Sequence, residues 1–206
     1  MQIFLLAAIL VLSSFFPSFL NFDAHDYAPL TEKEFSYENW AYKNVETNQE
    51  IDLREFAKNK KLVMVVYFAP WCHNSEYQAP VVEKLYEKYK DQGFAVIGVG
   101  VYGSVARIED SKKRFGFDFP VVSEPSSTKD REKTLHYKYR TALGDSRKWG
   151  TPWNVFITAD NVIPDGDVLA RKSTVVNGEI REQEAEYYIR EKLGLPKEIP
   201  GRNDVK

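Results

Sequence analysis

The residue best suited to chemistry in this chain of 206 residues is its only cysteine, Cys72. An apolar run over residues 62–68 precedes it, followed by Ala-Pro-Trp. After it, large residues recur every four positions, which predicts a helix: Tyr77, Val81, Leu85 and Tyr89. The thiol is therefore expected where a buried strand becomes a helix. At that place the free N–H groups and the positive end of the helix dipole favour a thiolate.

Two neighbours of Cys72 are candidates for tuning it. A protonated His73 would favour the thiolate, and the hydroxyl of Ser75 could donate a hydrogen bond to it. The plain alternatives are an exposed histidine without a role and an ordinary serine in the first turn of a helix. We expect no metal site at Cys72 and His73, because two ligands do not close a site and His25 and His136 show no ligand spacing. Thiol chemistry at Cys72 requires no cofactor, so none is expected.

A single cysteine cannot form a disulfide within the chain, so Cys72 is either an inert buried thiol or a reactive group that pairs between molecules. Any mixed disulfide on it must be released by an outside thiol. This pattern favours monothiol exchange, isomerisation or capture of a partner through an intermolecular disulfide.

Residues 1–22 carry no charged side chain, and a ten-residue apolar block lies at 3–12. This composition predicts a signal peptide over 1–22 or a retained membrane anchor through 3–22. Either alternative places the rest of the chain in an exported location: periplasm, secretory lumen or exterior. The net charge of −2 and the pI near 6.0 give no footprint for nucleic acid.

Beyond the N-terminus we expect a lead-in segment (23–44), one domain (45–195) and a C-terminal tail (196–206). Apolar runs predict strands at 62–68, 95–101, 119–122, 153–157 and 168–176. Helices are predicted after Cys72, from Ser104 to about Phe115, and around Ala185 to Leu193. The alternation predicts an α/β fold around a mixed sheet. Between them, residues 129–148 form a basic insertion, interpreted as a solvated face or a surface for an acidic partner.

Three features together resemble the thioredoxin superfamily: the run from Val65 to Cys72 (VVYFAPWC), Pro80 within the following helix, and Gly150-Thr151-Pro152 before a strand. The segments 51–53 (IDL) and 92–99 (QGFAVIGV) are most similar to its TlpA/ResA branch of exported thiol–disulfide oxidoreductases. The resemblance covers residues 45–193 and implies a thioredoxin-like fold, in which helices sandwich a mixed β-sheet.

In that family the first cysteine attacks a substrate disulfide, and Cys72 matches it. The second cysteine is replaced by Ser75, giving Cys-x-x-Ser, and a hydroxyl cannot resolve a mixed disulfide. Pro152 matches a cis proline that faces the thiol. With Thr151 and Trp71 it is expected to line the substrate groove.

Two further departures concern acids. The buried acid of thioredoxins would fall at Val66, and the glutamate of the ResA-like branch at Gln78, which is otherwise an ordinary polar helix position. Proton transfer then loses its usual helper. The attacking cysteine of peroxiredoxins follows a Thr-x-x motif, and Ala69 stands at the threonine position. In a Gly-x-Gly-x-x-Gly pattern at 98–103, Gly98 and Gly100 lie within a predicted strand, so we interpret these glycines as allowing close packing and not as a nucleotide loop.

We therefore expect an exported monothiol thioredoxin-like protein. It would exchange disulfides with cysteine-containing proteins or low-molecular-weight thiols and disulfides. The alternative is a non-catalytic module that holds a protein partner in the same groove.

Overall fold

The structure, a computed structural model, describes residues 25–124 and 127–196. The strands in these ranges are β1 (Thr31–Glu38), β2 (Ala41–Asn44), β3 (Glu50–Asp52), β4 (Leu62–Phe68), β5 (Phe94–Gly100), β6 (Val121–Ser123), β7 (Trp153–Thr158) and β8 (Val168–Val176). The α-helices are α1 (Leu53–Ala57), α2 (His73–Tyr89), α3 (Val105–Phe115), α4 (Leu135–Ala142) and α5 (Glu182–Leu193). Short 3-10 helices cover Lys90–Gln92, Thr128–Lys133 and Ala159–Asn161.

The described strands form one mixed sheet in the order β1-β8-β7-β4-β5-β6-β2-β3. Strand β4 lies inside it, parallel to β5 and antiparallel to β7. Every residue of β4 and β5 is buried, because both faces of the sheet are covered. The predicted α/β class with a mixed sheet is confirmed, and the predicted bounds of β4 and β8 match the structure.

Alternate residues of β4 enter two separate cores, as the two-residue period of a strand requires. Met64 and Phe68 join a core with residues of α2, α3 and α5. Val65 and Tyr67 join a second core with Trp153 and with Tyr139 of α4. The sheet is therefore covered by helices on both sides, and β4 delivers the chain to the N-terminus of α2.

The segment predicted as a lead-in contributes strands to the sheet: β1 pairs with β8 at one edge and β2 with β6 near the other. Only Asn39 and Trp40 connect them. In a flat sheet β1 and β2 would lie six spacings of 4.8 Å apart, about 29 Å, whereas three residue steps reach about 11 Å. The sheet must therefore curl until its edges converge at this link. Arg54 of α1 accordingly donates to the carbonyls of Ile163 (2.9 Å) and Val168 (3.1 Å), beside β8.

The glycines of the Gly-x-Gly-x-x-Gly pattern serve packing. Gly98 and Gly100 lie in β5. A Cβ at Gly100 would overlap the side chain of Ile108 on α3, and one at Gly98 would press against Val121. Close packing of α3 on Gly100 and of the Val121 side chain on Gly98 is the reason for both glycines, as the sequence predicted.

Helix α2 differs from its prediction in the face that it buries. Tyr77 is 45% exposed, although its spacing placed it on the apolar stripe. The buried side chains of α2 are Ser75, Gln78, Ala79, Val82, Leu85 and Tyr89. The helix continues through Pro80, which lies on its exposed side. Two polar residues therefore face inward near the thiol.

None of the described helices is long and apolar enough to cross a membrane. The predicted signal peptide or anchor, residues 1–22, lies outside the described residues, as do residues 197–206 of the predicted tail.

Candidate active site

Cys72 is the N-cap residue of α2 and is partly exposed. Its N–H donates to Ala69 O (3.0 Å), and its carbonyl accepts from Glu76 N (3.2 Å), so the turn from β4 into α2 fixes its backbone. No side chain caps this helix end, which leaves N–H groups of the first turn available beside the thiol.

The segment predicted to face the thiol does so. The Cys72 Sγ donates to Thr151 O at 3.3 Å, and the Thr151–Pro152 peptide bond is cis. Pro152 leads directly into β7, the antiparallel neighbour of β4. The thiol and this loop are thus brought together by the two adjacent strands that carry them.

Trp71 forms one side of the site. Its indole Nε1 donates to Tyr102 O (3.2 Å), and its ring meets Trp149 edge-on with centroids 5.0 Å apart. Trp149 also lines a shallow cavity of about 690 Å³ with Thr128–Lys133 and Lys148. Part of the basic insertion therefore lies beside the predicted substrate groove.

The two predicted tuning residues behave differently. His73 is exposed on the first turn of α2. Ser75 is buried, yet its Oγ makes no hydrogen bond within the described residues. Of the two alternatives for Ser75, the hydrogen bond to the cysteine sulfur is not made in this structure, in which Sγ is turned toward Thr151.

Gln78 is not an ordinary polar helix position, because it is buried in a reciprocal amide pair with Asn154 of β7. Gln78 Nε2 donates to Asn154 Oδ1 (2.9 Å), and Asn154 Nδ2 donates to Gln78 Oε1 (3.0 Å) and to Gly178 O (2.9 Å). Gln78 Oε1 also accepts from Ile180 N (3.0 Å). Since Asn154 is the register partner of Val66, uncharged residues occupy both positions where the family resemblance implies acids.

A buried acid that the sequence did not reveal, Glu179, contacts the motif from the other side. Its Oε1 accepts from Asn74 Nδ2 (2.9 Å) and from Asp26 N (2.8 Å). Its Oε2 lies 2.7 Å from His25 Nδ1. Glu179 joins residues 25–28 to the first turn of α2. No spacing signal could have found it, because Asn74 and Glu179 lie 105 positions apart.

Helix α4 buries two residues of the basic insertion behind the Thr151 loop, so the solvated-face interpretation is wrong for them. His136 and Arg140 are 0% and 1% exposed. His136 Nε2 lies 3.2 Å from Gly150 O and Nδ1 lies 2.8 Å from the Tyr102 hydroxyl. A carbonyl only accepts, so Nε2 carries the proton and Nδ1 accepts from Tyr102. Burial, assisted by the charge of Arg140, lowers the pKa of His136 to about 3.

The family model described as AhpC/TSA matches residues 31–163 of the chain. The chain belongs to the AhpC/TSA family. A peroxiredoxin is expected to carry a threonine three residues before its attacking cysteine. This chain has Ala69 at that position, which offers no hydroxyl. Among curated relatives, the chain is similar to the thiol-disulfide oxidoreductase ResA of Geobacillus kaustophilus, with 34% identity over 62 residues. It is also similar to thioredoxin-2 of Saccharomyces cerevisiae, with 39% identity over 51 residues.

These matches are partial. The ResA segment covers 30% of this chain and 36% of the relative, and the thioredoxin-2 segment covers 25% and 49%. The chain therefore matches well under two thirds of either relative's length.

Solved structures show the fold of this AhpC/TSA member. A thioredoxin-family thiol:disulfide interchange protein from Chlorobium tepidum superposes with a TM-score of 0.55 at 16% identity, covering 79% of this chain and 98% of that one. A secreted thiol-disulfide isomerase from Corynebacterium glutamicum superposes with a TM-score of 0.57 at 14% identity, covering 79% and 92%. The predicted thioredoxin-like fold is confirmed.

Proposed function

We propose that this chain is an exported monothiol thiol–disulfide exchange protein with Cys72 as its nucleophile. The observation that carries the proposal is the place of the thiol: partly exposed, at the open N-terminus of α2, against the backbone of Thr151. The partial likeness to relatives named thiol-disulfide oxidoreductases supports it.

The proposed thiol–disulfide exchange at Cys72 takes place in two steps. The Cys72 thiolate attacks one sulfur of a substrate disulfide, a new disulfide forms on Cys72, and the other half leaves as a thiolate that takes a proton from water. An outside thiolate then attacks the mixed disulfide, takes the substrate sulfur as a new disulfide and returns Cys72 as a thiolate. Ser75 forms no such bond, so the adduct persists until the second thiol arrives.

We assign the substrate side of the groove to Trp71, Thr151 and Pro152, with His73 exposed at its rim. Substrates would be cysteine-containing proteins or small disulfides. Cys72 and Trp71 are half-buried and His73 is exposed, whereas Thr151 and Pro152 are buried beside the thiol. An extended peptide would bind the Thr151 carbonyl in place of the Cys72 thiol.

The test uses a peptide whose cysteine is disulfide-bonded to 5-thio-2-nitrobenzoate. The parent chain should release about one equivalent of the coloured thiolate and retain the peptide, by intact mass, until an outside thiol is added. Cys72→Ala should do neither. Ser75→Ala should match the parent, whereas Ser75→Cys should release the peptide unaided because a second thiol can resolve the adduct. Because the chain has no other thiol, a folded parent chain that releases no coloured thiolate would refute the assignment.

A second candidate, a non-catalytic binding module, is favoured by one observation: Val66 and the Gln78–Asn154 pair leave no titratable group at the two positions where the family resemblance implies acids. This candidate predicts a folded parent chain that forms no peptide adduct and a Ser75→Cys variant that gains no disulfide reduction.

The exported location is a proposal that depends on the uncharged residues 1–22. Expression of the full sequence in a bacterial host should give a periplasmic or membrane-bound product. N-terminal sequencing separates cleavage from a retained anchor, and a cytosolic product that keeps Met1 contradicts export.

A further inference from the structure

The Thr151 loop is braced from behind by α4. Gly150 precedes the residue whose carbonyl meets the thiol, and its own carbonyl accepts from His136 Nε2. Its φ is +62°, a left-handed conformation that favours glycine. A Cβ there would overlap the side chain of Arg140, so Arg140 packs directly on this backbone.

Arg140 holds the segment just before Gly150. Its guanidinium donates to Arg147 O (2.6 Å), Lys148 O (3.1 Å) and Asp145 O (3.4 Å). The nearest carboxylate contact, to Asp145 Oδ1, is longer at 3.9 Å. The buried cation is thus used mainly to fix three main-chain carbonyls within four residues.

A buried arginine costs free energy that an apolar side chain of similar size would not, so its presence requires a separate reason. Core packing alone would be served by methionine or leucine. The planar guanidinium, however, can bind several carbonyls at fixed angles. Its geometry matches the task of shaping a loop that has no secondary structure.

We propose that His136 and Arg140 are positioning residues for exchange at Cys72. They hold residues 145–150 so that the backbone of Thr151 stays in register with both the thiol and an extended substrate peptide. This inference rests on the proposed function. It assigns a role to the part of the basic insertion that turned out to be buried.

A positioning role of His136 and Arg140 would affect two reactions of Cys72 Sγ to different extents. A small alkylating reagent needs only access to Sγ. A peptide disulfide also needs the Thr151 backbone in place, and misplacement by about 1 Å can cost about 10²-fold in rate. Loss of the brace should therefore slow peptide exchange far more than alkylation.

The experiment measures, for each variant, the rate of alkylation by iodoacetamide and the concentration dependence of exchange with the nitrobenzoate peptide. For Arg140→Met we expect alkylation within about twofold of the parent and peptide exchange at subsaturating concentration reduced by about 10- to 100-fold. The loss should lie mainly in the half-saturating peptide concentration. Arg140→Lys, which keeps the charge and some donors, should recover part of it, and His136→Gln should fall between.

Lys138→Met is the matched control, because it removes an exposed cation from the same helix, and it should match the parent in both rates. Peptide exchange that is unchanged in folded Arg140 and His136 variants overturns the inference, as does an equal fall in both rates. If Arg140→Met does not fold, Arg140→Lys and His136→Gln decide the question by the same pair of rates. A parent chain that forms no peptide adduct refutes the proposed function instead, and the inference falls with it.

Discussion

Replacing Gln78 by glutamate would restore a carboxyl group where the ResA-like branch is expected to have one. Gln78 is 3% exposed and both donates to and accepts from Asn154. A glutamate carboxylate would keep the hydrogen bonds from Asn154 Nδ2 and Ile180 N. It could not donate, so it would oppose Asn154 Oδ1 with a second acceptor. Only the protonated carboxyl group could replace the lost donor.

The cost follows from that one lost donor. A buried acceptor left without a partner costs about 1–3 kcal/mol, and more when the group is charged, so we expect Gln78→Glu to lower the free energy of unfolding by at least about 2 kcal/mol at pH 7. At about 1.36 kcal/mol per pKa unit, this raises the pKa of the new carboxyl group from about 4.3 in the unfolded chain to about 6 in the folded one. At a pH between these two pKa values, the new carboxyl group is protonated in the folded state and ionised in the unfolded state. The variant's deficit should be absent below about pH 4, grow as the pH rises to about 6, and stay constant above.

Urea unfolding of the parent and Gln78→Glu at pH 4, 5, 6 and 7 gives the difference in free energy directly. Gln78→Met is the control for the pH dependence, because it loses all three hydrogen bonds of the Gln78 side chain but adds no titratable group, so its deficit should not follow pH. A Gln78→Glu variant as stable as the parent at pH 7 would refute the reasoning. So would a deficit of equal size at pH 4 and pH 7.

Two further predictions concern the core. The folded pKa of His136, about 3, lies below its unfolded value of about 6.5, so the native state loses stability as the pH falls from about 6.5 toward 3. His136→Gln should remove this pH dependence, which is up to about 1.4 kcal/mol per pH unit. If the free energy of unfolding falls equally from pH 7 to pH 5 in the parent and in His136→Gln, the reasoning is wrong. Gly100→Ala should destabilise the fold by about 1–3 kcal/mol because its Cβ overlaps Ile108. Ile108→Ala removes all the Ile108 atoms that would overlap, so in urea unfolding the double variant should lose less stability than the sum of the two single losses. An additive penalty would show that the overlap is not the cause.

Local signals predicted much of the fold. The unbroken apolar run of β4 and the cap residues of α3, Ser104 and Gly116, fix those elements within the sequence itself. Strand β1 escaped prediction because it is an edge strand with mostly charged or polar residues. Its more buried side alternates strictly, at Thr31, Lys33, Phe35 and Tyr37, but only the last two of these are apolar. Its pairing with β8 is set by tertiary structure.

The residues of the candidate site also divide into those that sequence motifs predicted and those that only the assembled fold reveals. Cys72, Thr151 and Pro152 belong to recognisable motifs at the ends of two predicted strands. Gln78 pairs with an asparagine 76 positions away, and the contacts of Arg140 and Glu179 depend on which side of α4 and of the β8–α5 loop faces inward. Such burial of polar groups is decided by the assembled fold and leaves no periodic signal.

The character of the sheet edges bears on how this protein would associate with copies of itself. Among the described strands, β1 ends the sheet on one side and β3 on the other. Strand β1 carries Glu32, Lys33, Glu34 and Glu38 and has an irregular register with β8, whereas β3 is only three residues long. Charge, irregularity and shortness all discourage strand addition and aggregation. In the presence of dissolved oxygen, which takes up the two electrons and two protons of a pair of Cys72 thiols, a concentrated solution should form disulfide-linked dimers that a reductant separates. It should not form strand-paired polymers that resist the reductant.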